Sequence, residues 1–99
     1  MNKIAPKFSQ PLKVKQEPTA LTFSCEVEAN PRPTITWYRG ETKLDASDRI
    51  KVRMDPVPKT TRYLCSLAVT KLAPADYGVY KVDAKNQAGN KNTTLAVEG

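Results

Sequence analysis

Apolar and polar residues alternate through much of this chain. Leu21, Phe23, Cys25 and Val27 share one parity, and Thr22, Ser24, Glu26 and Glu28 share the other. That period of two is the signature of a strand with one packed face and one wet face. Asn30-Pro31-Arg32-Pro33 ends it, because proline has no N–H to give to a ladder. Alternation resumes over Thr34 to Tyr38 with Ile35 and Trp37 inward, and Arg39 to Glu41 reads as a turn. Leu44 to Ser47 reads as a polar stretch, and Arg49 to Arg53 as a short alternating strand. Asp55-Pro56-Val57-Pro58 predicts a second proline-stiffened turn. Tyr63, Cys65, Leu67 and Val69 then face one way, with Leu64 a minor misfit on the opposite parity. Val79 to Ala84 and Thr93 to Val97 form the last two strands. The turn between them, Asn86 to Asn90, is built from residues that tolerate positive φ.

Seven or so short strands, with turn signals roughly every eight to twelve residues, predict an all-β sandwich or barrel. Helical spacing, internal repeats and low-complexity tracts do not occur. A chain of 99 residues makes one domain and buries about two-thirds of its unfolded surface, enough for one two-layer core. No apolar run approaches the roughly 18 residues of a membrane-crossing helix, and the N-terminus lacks the apolar stretch of a signal peptide. The chain reads as a piece of a longer protein, with residues 1–5 as linker or appended sequence and the domain over 6–98.

Charge and chemistry narrow the function. The net charge is +6, with sixteen Lys and Arg scattered from Lys3 to Lys91 and no run of five like charges. A nucleic-acid arm would concentrate its cations and interleave aromatics, so the balance reads as a solvated surface that attracts an acidic partner or filament weakly and in a salt-sensitive way. There is no histidine, which removes the commonest general base, metal ligand and near-neutral switch. Cys25 and Cys65, forty residues apart, have no zinc spacing. The four glycines stand singly and form no phosphate loop, and Asp45, Asp48 and Asp55 lack the spacing of a calcium loop. The expectation is a binding or structural module with no cofactor, no metal and no catalytic residues.

One constellation is more specific. Cys25 lies twelve residues before Trp37; Leu67, Val69, Leu72 and Pro74 lead into Asp76-Tyr77-Gly78-Val79-Tyr80, and the inward Val82 follows. Ala84, Asn86 and Gly89, then Leu95 and Val97, close the pattern. Together these resemble the intermediate-set (I-set) immunoglobulin domain over essentially the whole length. The resemblance implies a two-sheet Greek-key sandwich whose structural core includes Cys25, Trp37, Leu67, Asp76, Gly78, Tyr80 and Val82. Trp37 would supply a block of buried apolar surface on the order of 200 Å². Tyr80 would form a tyrosine corner, returning its hydroxyl to upstream backbone. Gly78 would permit a tight approach there, and Asp76 would pair with Arg49.

Val82 stands where secreted versions of this domain place the second cysteine of the inter-sheet disulfide. Cys65 has core-facing parity but lies on the strand beside Cys25, so both are read as free buried thiols, with a same-sheet bridge as the alternative. Loss of the staple fits a reducing compartment, and sandwiches of this set without it resemble the tandem modules of giant muscle proteins such as titin, twitchin and obscurin. Ala5 to Leu12, Asn30 to Gly40 and Ala84 to Gly89 also read like those arrays. The implied role is a monomeric spacer in the cytoplasmic sarcomere or cytoskeleton, neighboured by immunoglobulin or fibronectin-type modules. Basic strand faces of related modules contact actin or myosin, and the candidates here are Tyr38, Lys81 and Lys85 on one sheet and Arg49, Lys51 and Arg53 with Lys59 and Arg62 on the other. A glycosylation sequon, Asn92-Thr93-Thr94, keeps an extracellular adhesion or receptor domain as the alternative; a regulatory module attached to a kinase is a third.

Overall fold

The computed structural model describes residues 2–99. Among them are eight strands: β1 (Ile4–Glu17), β2 (Ala20–Asn30), β3 (Thr34–Arg39), β4 (Thr42–Leu44), β5 (Ile50–Pro56), β6 (Arg62–Thr70), β7 (Gly78–Asn86) and β8 (Gly89–Val97). One 3₁₀ turn, Pro74–Asp76, precedes β7. The strands make two antiparallel sheets, ordered β1-β2-β6-β5 and β4-β3-β7-β8. The chain changes sheet after β2, after β4 and after β6, so neither sheet can form alone from a contiguous segment.

Each boundary has a local cause. β1 contains Pro6 and Pro11, and both fall where its register with β2 is interrupted, between Ile4 and Lys7 and between Gln10 and Lys13. An edge strand tolerates these breaks because one side of its ladder is unused. β4 departs from the expected polar stretch: Lys43 and Leu44 pair with Tyr38 and Trp37, and the 7% exposure of Leu44 comes from packing that a three-residue strand is too short to signal by alternation. β5 runs through Asp55 and Pro56, and the turn falls later, at Pro58 and Lys59, where Lys59 takes φ 63°. The β7–β8 connection tightens to Gln87 and Ala88, so Asn86, Gly89 and Asn90 belong to strands. In both cases backbone pairing continued past the turn-forming residue types.

The core forms where the two inner faces meet. β2 and β6 contribute Leu21, Phe23, Cys25, Val27, Cys65, Leu67 and Val69, and β3 and β7 answer with Trp37, Tyr80, Val82 and Ala84, all buried. Phe23 crosses the gap: its ring stacks on Tyr80 at 4.2 Å between centroids and meets Trp37 at 6.4 Å, tilted by 50°. Val82 sits opposite Trp37 in the β3–β7 register, filling with two methyl groups the layer where a half-cystine would stand.

Parity therefore predicts the response to mutation. Leu67→Ala, at 0% exposure, is expected to cost about 2–5 kcal/mol, whereas Leu64→Ala, at 51%, should stay within about 0.5 kcal/mol. Urea denaturation of both variants checks the contrast, and equal losses would mean that the strand's faces are misassigned.

Candidate functional site

At one pole of the sandwich, Asp76 gathers charges from both sheets. Its side chain is 4% exposed. Arg49, one residue before β5, places Nη2 on Asp76 Oδ2, and Arg39, the last residue of β3, brings Nη1 to 3.5 Å from Oδ1. The Ala73 amide donates to Oδ2 at 2.7 Å. The Arg49 Nε–H donates to the Thr70 carbonyl, and Thr70 Oγ1 donates back to the Arg49 carbonyl. The hydroxyl of Tyr80 donates to the main-chain oxygen of Asp76. A buried carboxylate is tolerable only when its lone pairs are occupied, and here two guanidinium groups and an amide occupy them. Local spacing marks Arg39 as a turn residue and nothing more, because a long-range partner leaves no trace there.

The opposite pole is tied by amides. Asn86 donates through Nδ2 to the carbonyls of Ile4 at 2.9 Å and Pro31 at 3.0 Å, and accepts the Ala88 amide on Oδ1. Asn30 donates to the carbonyl of Asn2. One side chain thus joins the chain start, the loop after β2 and the β7–β8 turn. Along the sequence Asn86 stands as a turn former and a member of the closing Ala84-Asn86-Gly89 pattern, and neither reading names these partners.

Glycine roles differ from expectation. The expected close approach at Gly78 is not found, since a Cβ there would meet nothing within 4 Å; what it supplies is φ +142°, a region other residues rarely enter. Close approaches occur instead at Gly89, where a Cβ would lie 3.3 Å from that of Ala5, and at Gly99, where it would lie 3.2 Å from the Tyr77 ring.

Cys25 and Cys65 are both free and buried, and they face each other directly in the β2–β6 register. Hydrogen bonding to Cys25, then burial, pushes the Cys65 thiol well above the ordinary cysteine range. A thiol so held is a poor nucleophile. No cluster of potential metal ligands occurs among the described residues.

The candidate docking residues fall on opposite faces. Tyr38, Lys81 and Lys85 lie on the outer face of the β3–β7 sheet, but Tyr38 is half-buried and carries the Lys81 ammonium 4.5 Å from its ring centre. Its aromatic face is already occupied by a cation. Of the other group, Arg49 is committed to Asp76, Arg53 lies 3.4 Å from Asp55 and Arg62 3.9 Å from Glu26. Lys51 and Lys59 have no carboxylate within pairing distance among the described residues. Asn92, the sequon asparagine, is exposed within β8 rather than at its start, opposite Asp83.

The profile of the immunoglobulin I-set domain matches residues 6–98. The chain belongs to the I-set immunoglobulin family. It is 37% identical over 89 residues to Titin of Drosophila melanogaster, covering 85% of this chain and 0% of that protein. The Limbic system-associated membrane protein of Rattus norvegicus is 30% identical over 76 residues, 77% of this chain and 21% of that one. A crystal structure of domains A168–A170 from titin superposes with a TM-score of 0.77 at 27% identity, covering 95% of this chain and 32% of that one. The I-set chain thus spans a small part of the curated relatives it matches, which include Titin and a membrane protein.

In I-set terms, the Tyr80 contact is a tyrosine corner. Burial pushes the Tyr80 phenol above its ordinary 10.0, against the pull of Arg39. Below that value the phenol is protonated whether the chain is folded or not. Above it the unfolded chain ionises first, so stability falls as pH rises toward the folded-state value. Tyr80→Phe is expected to lower stability at neutral pH by about 1–3 kcal/mol, the cost of a lost hydrogen bond and an unpaired carbonyl, and to flatten the alkaline decline. Denaturation midpoints at pH 7 and above 10 measure both effects; an unchanged alkaline slope would remove Tyr80 as its source.

Proposed function

We propose that this I-set domain is a non-enzymatic spacer in a tandem array of a large muscle-type protein, carrying tension between its neighbours in the cytoplasm. The observation that carries the reading is the placement of its ends. Asn2 to Ile4 are tied at the pole of Asn30, Pro31 and Asn86, while Gly99 lies beside Tyr77 at the pole of Asp76. The molecule measures 46 Å along its long axis and 26 and 22 Å across. Modules joined through such poles extend as beads in series. Tension entering β1 runs along its ladder with β2, and β1 also lies against β8. Load applied along strands stresses several hydrogen bonds at once instead of opening them singly. The free thiols Cys25 and Cys65 suit a reducing compartment, and the likeness to titin supports the muscle setting.

Single-molecule pulling checks this reading. Tension applied through residues 6 and 98 is expected to require a higher unfolding force than tension applied through residues 78 and 97, which pair at the open end of the β7–β8 hairpin and so unzip it. Equal forces in the two geometries would remove the load-bearing role.

Docking on filament proteins is the second part of the proposal, with Lys51 and Arg53 on one face and Lys81 and Lys85 on the other as candidate contacts. Pelleting with actin or myosin filaments at low salt, diminished at moderate salt, is the expected result; absence from both pellets at either salt would remove filaments as partners. The competing reading, an extracellular adhesion domain, draws on the match to the limbic membrane protein and on the exposure of Asn92.

A further inference from the structure

The outer face of the β1-β2-β6-β5 sheet carries an arrangement that cation counts along the chain do not reveal. Cross-strand partners point to the same side, so the registers define rows across the sheet. One row is Lys13, Ser24, Ser66 and Arg53; the next is Lys15, Thr22, Ala68 and Lys51. In both rows the two central strands present small side chains and the two edge strands present cations. The result is a trough with a low, uncharged floor and two basic walls. Strands lie roughly 4.8 Å apart, so the walls stand about 14 Å from each other, and successive rows are about 7 Å apart. Arg53 has an acid, Asp55, at 3.4 Å. Lys13, Lys15 and Lys51 are exposed and have no carboxylate within pairing distance among the described residues.

The following row changes character. Gln10, Glu26, Leu64 and Asp55 align there. Leu64 is 51% exposed, with a shallow depression of about 270 Å³ on its β1 side and one of about 410 Å³ on its β5 side. The two carboxylates repel acidic groups from this row, while the leucine offers an apolar anchor.

We propose that this trough docks an extended acidic peptide segment of a partner protein, four successive carboxylates followed by an apolar residue. An extended chain places alternate side chains on opposite sides, with same-side neighbours about 7 Å apart. A peptide laid parallel to β2 and β6 therefore sends two acids to Lys13 and Lys15 and two to Lys51 and Arg53, matching the row spacing. Its main chain passes over Thr22, Ser24 and Ser66, whose hydroxyls can donate to or accept from its amide groups. Beyond the last acid, an apolar side chain meets Leu64. The two basic rows hold no aromatic ring, which a single-stranded nucleic acid would need for base stacking. This inference deepens the docking part of the proposed function and is independent of the tension-bearing part. The pulling experiment and the test below read different properties, so either can fail alone.

The probe is a fluorescein-labelled peptide of four glutamates followed by leucine, titrated by anisotropy against the whole chain with amide chemical shifts recorded in parallel. Binding is expected to shift Thr22, Ser24, Leu64 and Ser66 and to weaken several-fold from low to physiological salt. The charge-reversed double variant Lys13→Glu with Lys51→Glu should bind about tenfold more weakly or worse, and Leu64→Ser about 2- to 5-fold more weakly. Both should unfold at the wild-type temperature, because these side chains are exposed. Three outcomes would overturn the proposal: shifts confined to the Tyr38–Lys81 face, full affinity in the charge-reversed variant, or equal binding of a single-stranded oligonucleotide.

Discussion

No disulfide joins the two sheets, so their adhesion depends on packing, with one aromatic cluster at its centre. Phe23 from β2 reaches across to stack on Tyr80 and to meet Trp37. Each ring removes a large area from water, and tilted or offset contacts between rings add to that. The surrounding aliphatic layer, Leu21, Val27, Leu67, Val69 and Val82, closes around this cluster with almost no exposure. Valine at 82 is part of the same solution. Where a half-cystine would tether the sheets through the unfolded-state entropy of a closed loop, a β-branched side chain fills the layer opposite Trp37 and contributes only by packing.

Asp76 completes what packing begins. Apolar contact presses the sheets together but does not fix their rotation, because the hydrophobic effect has no direction. The two arginines come from different sheets and converge on one carboxylate, while Tyr80 fastens the same turn to the core. Directional charge-assisted bonds of this kind favour one relative placement of the layers. Asn86 does comparable work at the other pole with neutral groups. The two poles, one built on charge and one on amides, are also where the chain enters and leaves. In the proposed array, tension would therefore reach the sandwich through its best-fastened regions.

Much of the exposed charge is idle in this framework. Several surface pairs lie at distances and exposures where such bridges contribute little. Lys13, Lys15 and Lys51 have no carboxylate partner among the described residues, and their grouping across a neutral floor gives the outer face of one sheet a pattern distinct from a uniformly solvated surface. The proposed spacer and binding roles need not compete, since the first would use the poles and the second a sheet face.

Alternation alone determined which residues of β2 and β6 face the core, because a strand's period of two is a local property of its backbone. The residue types around Trp37, Asp76, Gly78 and Tyr80 determined the family, since each meets a local demand of one turn or one packing site. Val82 indicated in the same way that Cys25 had lost its inter-sheet partner. Other features needed the fold. Leu44 and its three-residue strand are defined by pairing with Trp37, not by a pattern of their own. Arg39 joins Asp76 only because two sheets meet at one pole, and Asn86 reaches Ile4 across nearly the whole sequence. Cys25 and Cys65 oppose each other through register, and the same registers assemble Lys13, Lys15, Lys51 and Arg53 from strands at opposite edges of a sheet. Period, turn chemistry and composition are written along the chain. Register and sheet-to-sheet contact arise between distant segments, and only the closed sandwich brings those together.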